Sequence, residues 1–103
     1  MALMTVIYQT PKDIAFFEKH YFQVHIPLAK KLPGLIKYKI NNGQIYSTTG
    51  HKSYRVANLY FESMEAMQNA FKSAVGQACA ADRKILAPGN EDVQIYYYDT
   101  KTV

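Results

Sequence analysis

Residues 12–32 read KDIAFFEKHYFQVHIPLAKKL, and apolar or aromatic side chains recur there every three or four positions. That spacing is typical of one face of an amphipathic helix. The recurring positions are Ile14, Phe17, Tyr21, His25, Leu28 and Leu32. The helix is expected to end at Pro33-Gly34. Pro27 predicts a break or a restart inside it, because proline lacks a backbone N–H and disfavours α-helical backbone at the preceding residue.

The segments around this helix predict four strands and a second helical region. Runs rich in β-branched and aromatic residues lie at 3–9, 35–41, 53–61 and 92–98. Ser63 is expected to cap a helix, and Ser73 is expected to cap its continuation toward Leu86. The polar stretch 43–52 is the best candidate for a mobile loop.

The element order β-α-β-β-α-β predicts an α+β fold. It is the order of a ferredoxin-like split βαβ sandwich, in which two helices cover one face of a four-stranded antiparallel sheet. Residues 1–103 are expected to form a single domain. Residues of both parities in the third strand are apolar or aromatic, with Leu59 and Phe61 alternating with Val56 and Tyr60. A second face open to water would be unusual for such a sheet, so we expect a homodimer whose sheets pack face to face.

Composition and charge limit the classes of protein to consider. The single cysteine, Cys79, cannot form an internal disulfide, and neither a leader nor a long apolar run is present, so we expect a cytoplasmic protein with no membrane segment. The formal net charge is +4, and no acidic residue lies between Glu18 and Glu62. This pattern favours a solvated basic face, with an anionic small ligand or a nucleic acid as the alternatives.

Two ionisable residues lie on apolar helix faces. His25 lies within about 60° of the apolar positions of the first helix, so it is expected to face the sheet. Asp82 is centred on a second apolar stripe, whose other members are Val75, Ala78, Cys79, Ile85 and Leu86. Both could be structural: a core histidine bonded to a backbone carbonyl, and a carboxylate that caps or cross-links. Since both helices should cover the same face, the two could instead supply a base and its partner.

Tyrosines and two further histidines complete the candidate site. The tyrosines that could offer hydroxyls to a pocket are Tyr21, Tyr38, Tyr60 and Tyr97, although such residues often only pack in a core or a dimer interface. His51 could reach the pocket from its loop. His20 lies about 140° from His25 on an α-helix, so the two are not expected to share a metal. No dedicated metal site and no phosphate-binding glycine loop are expected.

Three segments resemble the EthD family, named for ethyl tert-butyl ether degradation. They are residues 17–35 (FEKHYFQVHIPLAKKLPGL), 61–67 (FESMEAM) and 73–82 (SAVGQACAAD). The family's helix-one histidine falls on His25 and its helix-two aspartate on Asp82. The resemblance implies a dimeric α+β barrel with a pocket between helices and sheet in each subunit. It also implies a link to cyclases, decarboxylases and lactone isomerases of aromatic and polyketide metabolism, or to accessory proteins of monooxygenase operons. Haem-degrading relatives use a tryptophan that this chain lacks, so haem is not expected.

Three functional hypotheses follow. The leading one is a cofactor-independent protein in which His25, helped by Asp82 and Tyr21, moves a proton on a hydrophobic, oxygenated compound. The second is a non-catalytic ligand carrier or operon accessory protein that uses the same pocket. The third is single-strand RNA binding, which would need a glycine-containing basic and aromatic motif on the third strand and an exposed sheet face. Residues 54–61 lack that glycine, and a dimer would cover the face.

Overall fold

The computed structural model describes all 103 residues. The strands are β1 (Ala2–Tyr8), β2 (Lys37–Ile40), β3 (Arg55–Phe61) and β4 (Val93–Asp99). The helices are α1 (Ile14–His20), α2 (Ile26–Ala29), α3 (Met64–Lys72) and α4 (Ala74–Leu86). A π-helical segment (Tyr21–His25) joins α1 to α2, and a short 3-10 turn (Asn90–Asp92) precedes β4. Each predicted strand is present.

The four strands form one antiparallel sheet in the order β2-β3-β1-β4, which confirms the ferredoxin-like α+β fold. Residues paired across two strands project from the same face. Val6 is paired with Ala57, and Tyr8 with Arg55, and all four are buried beneath the helices. This register decides which strand residues can reach a space between helices and sheet.

The two predicted serine caps are confirmed. The Ser63 hydroxyl accepts a hydrogen bond from the Ala66 backbone N–H at 3.0 Å, and the Ser73 hydroxyl accepts one from the Gly76 N–H at 3.1 Å. Ser73 has extended backbone (φ −66°, ψ 165°), so it ends α3 and begins α4. At Gly76 the two helices approach closely, because a Cβ atom there would lie 2.2 Å from the Ala70 carbonyl oxygen.

The first helical region restarts next to Pro27, one of the two outcomes expected there, and its backbone stays helical throughout. The Ile26 N–H donates to the carbonyl of Tyr21, five residues earlier, and α-helical bonding restarts at Ile26. Pro27 therefore lies in the first turn of α2, where a helix tolerates proline best. Ile26 itself keeps α-helical angles (φ −59°, ψ −49°), which differs from the expectation for a residue before proline.

The face of the sheet opposite the helices is uncovered in the single chain. It carries half-buried Leu3, Ile7 and Val56, together with Tyr96 and Tyr98, which are about half exposed. None of the helices is long and apolar enough to cross a membrane.

Candidate acid-base site

Asp82 is the centre of a buried cluster with two histidines. Its Oδ2 lies 2.8 Å from Nδ1 of His25, and its Oδ1 lies 2.7 Å from Nε2 of His20. The three side chains are between 9% and 17% exposed. An ionised carboxylate only accepts hydrogen bonds, so each histidine must donate from the nitrogen that faces Asp82. His25 is thereby assigned the tautomer with its proton on Nδ1, and His20 the tautomer with its proton on Nε2.

The π-helical segment explains why His20 and His25 converge. The expectation that they point about 140° apart assumed continuous α-helix and is wrong. The hydrogen bond from Ile26 to Tyr21 spans five residues, so the turn is wider and residues five apart come to the same side. Single π turns of this kind are frequent at functional sites.

His25 lines a cavity of about 230 Å³ between the helices and the sheet, called here the central cavity. Its wall is mainly apolar and includes Val6, Leu59 and Phe71. Nε2 of His25 has no hydrogen-bond partner in the protein and is not fully buried. With its proton on Nδ1, the ring therefore has a free lone pair on Nε2.

The surroundings of His25 favour its neutral form. Burial lowers the pKa of His25 below its ordinary value, and this effect outweighs the hydrogen bond and charge of Asp82, which raise it. The positive charge of Arg83 lowers it further. A neutral imidazole near neutral pH is the form that can accept a proton.

Two tyrosine hydroxyls lie beside this histidine. The hydroxyl oxygens of Tyr21 and Tyr38 are 2.6 Å apart, and the Tyr21 ring stacks on His25 with centroids 5.5 Å apart. Tyr38 lines the central cavity, whereas Tyr21 packs behind it and is fully buried. Burial raises the pKa of Tyr38 to about 12 and moves that of Tyr21 above its usual range. Both hydroxyls therefore stay protonated at neutral pH and can donate.

The sequence profile of the EthD domain matches residues 9–87. The chain belongs to the EthD family. An 11.0 kDa protein from the thcB-thcC intergenic region of Rhodococcus erythropolis is 33% identical over 103 residues, covering 100% of this chain and 98% of that one. The crystal structure of an EthD family protein from Bacillus halodurans has a TM-score of 0.86 and 28% identity, covering 98% of this chain and 99% of that one.

More distant structures share the fold of this EthD domain. SnoaB from Streptomyces nogalater, described as a cofactor-independent oxygenase, has a TM-score of 0.68 at 12% identity and covers 99% of this chain and 94% of its own. A dimeric ferredoxin-like protein from Jannaschia also has a TM-score of 0.68 at 12% identity, with coverage of 97% and 100%. The family and fold expected from the sequence are thus confirmed.

Three residues expected to line the pocket of this EthD domain lie elsewhere. Tyr60 pairs with Leu3 and projects from the opposite face of the sheet, because Leu59 next to it faces the central cavity. Tyr97 is paired with Met4 but is 57% exposed and does not line the cavity. His51 is exposed in the 41–53 loop, where its Nδ1 lies 2.9 Å from the Thr49 hydroxyl.

The predicted stripe around Asp82 also needs correction. Ala78 and Ile85 are exposed, whereas Gly76, Cys79 and Leu86 are buried with Asp82. At Gly76 the buried line of α4 comes close to the end of α3. Asp82 belongs to both the predicted and the observed stripe, so its burial does not depend on this difference.

Sequence reasoning missed two features of the site. Tyr8 lines the central cavity, and its pKa is raised above the usual range mainly by burial. Its parity with Val6 in β1 was a signal that could have found it. The other feature is Arg55, which is buried and bonds through Nη2 to Glu18 at 2.8 Å and 2.9 Å. Its guanidinium lies 4.6 Å from the centre of the Tyr21 ring, so this pair braces Tyr21 against the sheet.

No group of three or more His, Cys, Asp or Glu side chains is arranged to hold a metal ion. In the Asp82 cluster both imidazoles point at the carboxylate, one at each oxygen, so the three groups bind one another.

Proposed function

We propose that this EthD protein is a cofactor-independent enzyme that moves a proton on a hydrophobic, oxygenated small molecule bound in the central cavity. One observation carries the proposal: Nδ1 of His25 is 2.8 Å from the Asp82 carboxylate, while the same ring lines an apolar cavity. A histidine whose second nitrogen is oriented by a carboxylate is suited to general-base work. The fold shared with SnoaB, a protein described as a cofactor-independent oxygenase, is consistent with this class.

In the proposed step, Nε2 of His25 takes a proton from an acidic C–H or O–H of the substrate. The imidazolium that forms is stabilised by Asp82, to which it already donates. The second oxygen of Asp82 is held by His20, so the carboxylate cannot rotate away. General-base catalysis by a positioned side chain contributes roughly 10²- to 10⁴-fold in rate.

The tyrosine pair is proposed to stabilise the charge left on the substrate. If Tyr21 donates to Tyr38, the Tyr38 hydroxyl is free to donate into the cavity that it lines. A hydrogen bond from Tyr21 polarises the Tyr38 hydroxyl and strengthens it as a donor. Tyr38 would then bind the substrate oxygen on which negative charge develops when His25 removes the proton. The substrate is therefore expected to carry a carbonyl or phenol oxygen.

The cavity volume limits the substrate to a compact molecule. About 230 Å³ exceeds the roughly 150 Å³ of a cavity that holds one benzene ring, so a substituted aromatic ring would fill it. Larger polyketides would have to extend out of this space.

Solvent deuterium exchange tests the proposal. Enolisable aryl ketones would be incubated with the protein in D₂O, and loss of the acidic C–H signal followed by proton NMR. We expect catalysed exchange with the unaltered protein and a decrease of at least about 10²-fold in His25→Gln. His51→Gln is the matched control, since His51 lies outside the cavity and should leave the rate unchanged. Full activity in His25→Gln would show that this base is not used.

A non-catalytic carrier is the second candidate, and the apolar wall of the cavity favours it. Of the 15 residues that line the cavity, 12 are hydrophobic, so burial of a ligand would by itself be favourable. A carrier would bind its ligand equally well in His25→Gln and release it chemically intact. Mass spectrometry of ligand recovered after incubation in D₂O separates the two candidates.

We also propose that two copies of the chain pack through the uncovered sheet face. Half-buried Ile7 and Val56 lie on that face, and the Jannaschia protein of the same fold is described as dimeric. Light scattering after gel filtration should give twice the chain mass at micromolar concentration. Val56→Lys should give monomers, whereas Val24→Lys, at an exposed position on the π-helical segment, should not. A monomeric unaltered protein would contradict the dimer.

A further inference from the structure

The central cavity has two positively charged residues at its wall. Arg83 and Lys84 follow Asp82 on α4, and both line the cavity. Arg83 is half-buried and Lys84 is exposed, so they mark the side on which the cavity meets solvent. The wall contains no Asp or Glu, and its other basic residue is His25, whose lowered pKa favours the neutral form.

Neither cation has a carboxylate partner. The ion pairs of the protein join Asp82 to His20 and His25, and Glu18 to Arg55. Arg83 uses Nη1 to donate to the Ala87 carbonyl at 2.7 Å, and its other guanidinium nitrogens make no hydrogen bond. Cations are favoured in the last turn of a helix by its dipole, but the dipole does not explain why both line an apolar cavity.

We propose that the ligand of the central cavity is an amphipathic carboxylic acid, whose carboxylate binds Arg83 and Lys84 while its apolar body enters the cavity. The inference rests on the cavity being the ligand site, as proposed above, and it names the substrate class. An arginine with free donors suits a carboxylate, because the planar guanidinium can form two parallel hydrogen bonds with it. The apolar body then contacts Val6, Leu59 and Phe71 on the inner wall.

The position of Arg83 relative to the acid-base group supports this arrangement. Arg83 lines the same cavity as His25 and Tyr8, so its guanidinium, His25 and Tyr8 can all contact one ligand. A carboxylate at the rim would therefore orient the rest of the molecule toward Nε2 of His25. Such anchoring through a remote group is a common way to position a reacting atom.

Matched acid and amide pairs test the proposal. Benzoate, phenylacetate and 4-ethylbenzoate would each be compared with the carboxamide of the same shape, by ligand-observed NMR and calorimetry at low salt and pH 7.5. We expect at least one acid to bind, about tenfold or more tighter than its amide, because charge-assisted hydrogen bonds are roughly twice as strong as neutral ones. Equal or tighter binding of the amides would overturn the proposal, and so would the failure of every acid to bind at about millimolar concentration.

Variants of Arg83 and Lys84 test whether these two residues cause the preference for acids. In the double variant Arg83→Gln with Lys84→Gln, the preference for the acid should fall to about onefold while amide affinity is kept. Arg83→Lys also loses the hydrogen bond to Ala87 but keeps the charge, so it should retain part of the preference. A preference lost equally in both variants would point to a fold defect. Lys72→Gln removes an exposed cation outside the cavity and is the control. An acid preference that persists in the double variant would place the anion site elsewhere.

The preference for acids over amides can be measured whether or not the protein is a catalyst. His25→Gln should keep the acid preference whether or not it loses deuterium exchange. Acid preference without any exchange would refute the proton-transfer function and leave this inference standing. Deuterium exchange without a preference for acids would refute the acid ligand and leave the proton-transfer function standing.

Discussion

Replacing Asp82 with Asn tests the proposed base without any knowledge of the substrate. Asp82 now accepts one hydrogen bond from His25 and one from His20. Asn offers one acceptor oxygen and one NH₂ donor, so only one histidine can keep donating. The other must turn its unprotonated nitrogen toward the NH₂ group. If that histidine is His25, its proton moves to Nε2, and the lone pair that would take the substrate proton is lost.

The size of the effect can be worked from these two bonds. A hydrogen bond to a charged group contributes about 1.5–3 kcal/mol, and Asn restores one neutral acceptor. We therefore expect Asp82→Asn to lower the free energy of unfolding by about 1–3 kcal/mol and still fold. If His25 is the ring that changes, deuterium exchange should fall roughly 10²- to 10⁴-fold, because the contribution of the general base is removed.

The assay is a long-range ¹H–¹⁵N correlation spectrum of the imidazole rings in ¹⁵N-labelled protein, which reports the protonated nitrogen of each ring. The unaltered protein should show His25 protonated on Nδ1 and His20 on Nε2. Asp82→Asn should change the tautomer of one of them, whereas Asp99→Asn, at an exposed carboxylate, should change neither. The reasoning is refuted if His25 of the unaltered protein carries its proton on Nε2, or if Asp82→Asn leaves both rings as they were.

Three further predictions concern pH and packing. Because burial lowers the pKa of His25, deuterium exchange should rise with pH to a plateau, with its midpoint below pH 6.5. The stability contributed by the neutral ring should be lost as the pH falls below 6.5, where the unfolded chain binds the proton more readily. An exchange midpoint above pH 6.5 would contradict the burial argument. Burial raises the pKa of Glu18, but the hydrogen bonds from Tyr54 and Arg55 outweigh burial and lower it. These contacts therefore contribute stability above pH 4.5 that is lost on further acidification. Glu18→Gln should therefore cost about 1 kcal/mol in urea denaturation at pH 7, because water screens a carboxylate whose side chain is 36% exposed, and much less at pH 3. An equal cost at both would exclude the charged carboxylate as the cause. Gly76→Ala should destabilise by about 1–3 kcal/mol or more, since the new Cβ meets the Ala70 carbonyl oxygen, and an unchanged melting temperature would mean that α3 and α4 separate easily.

Local rules were sufficient for the elements and for part of the site. Ser63 and Ser73 each cap a helix because a hydroxyl two or three residues before a free backbone N–H can bond to it, whatever surrounds the helix. His25 and Asp82 were expected in one space because each lies on the apolar face of a helix, and both helices must cover the same side of the sheet. Their contact across 57 residues agrees with that expectation, although it leaves their chemical roles as proposals.

The residues that sequence reasoning misplaced depend on packing. Tyr60 could have faced either way, since both parities of β3 are apolar or aromatic, and only the side on which the helices pack decides which set is enclosed. Arg55 and Glu18 are 37 residues apart, and no periodicity links them. A buried arginine is stable only where a carboxylate and aromatic rings already lie close to it.

The sequence by itself determined the element order, the helix caps, the family and the inward direction of His25, because each depends on spacing between near neighbours. Only the tertiary structure decided that Asp82 bonds to two histidines. A strictly α-helical reading separates His20 from His25, and the hydrogen bond from Ile26 to Tyr21, which spans five residues, brings them together. In that register both imidazoles meet the carboxylate of Asp82 on α4, a contact between residues too far apart in the chain for helical spacing to reveal.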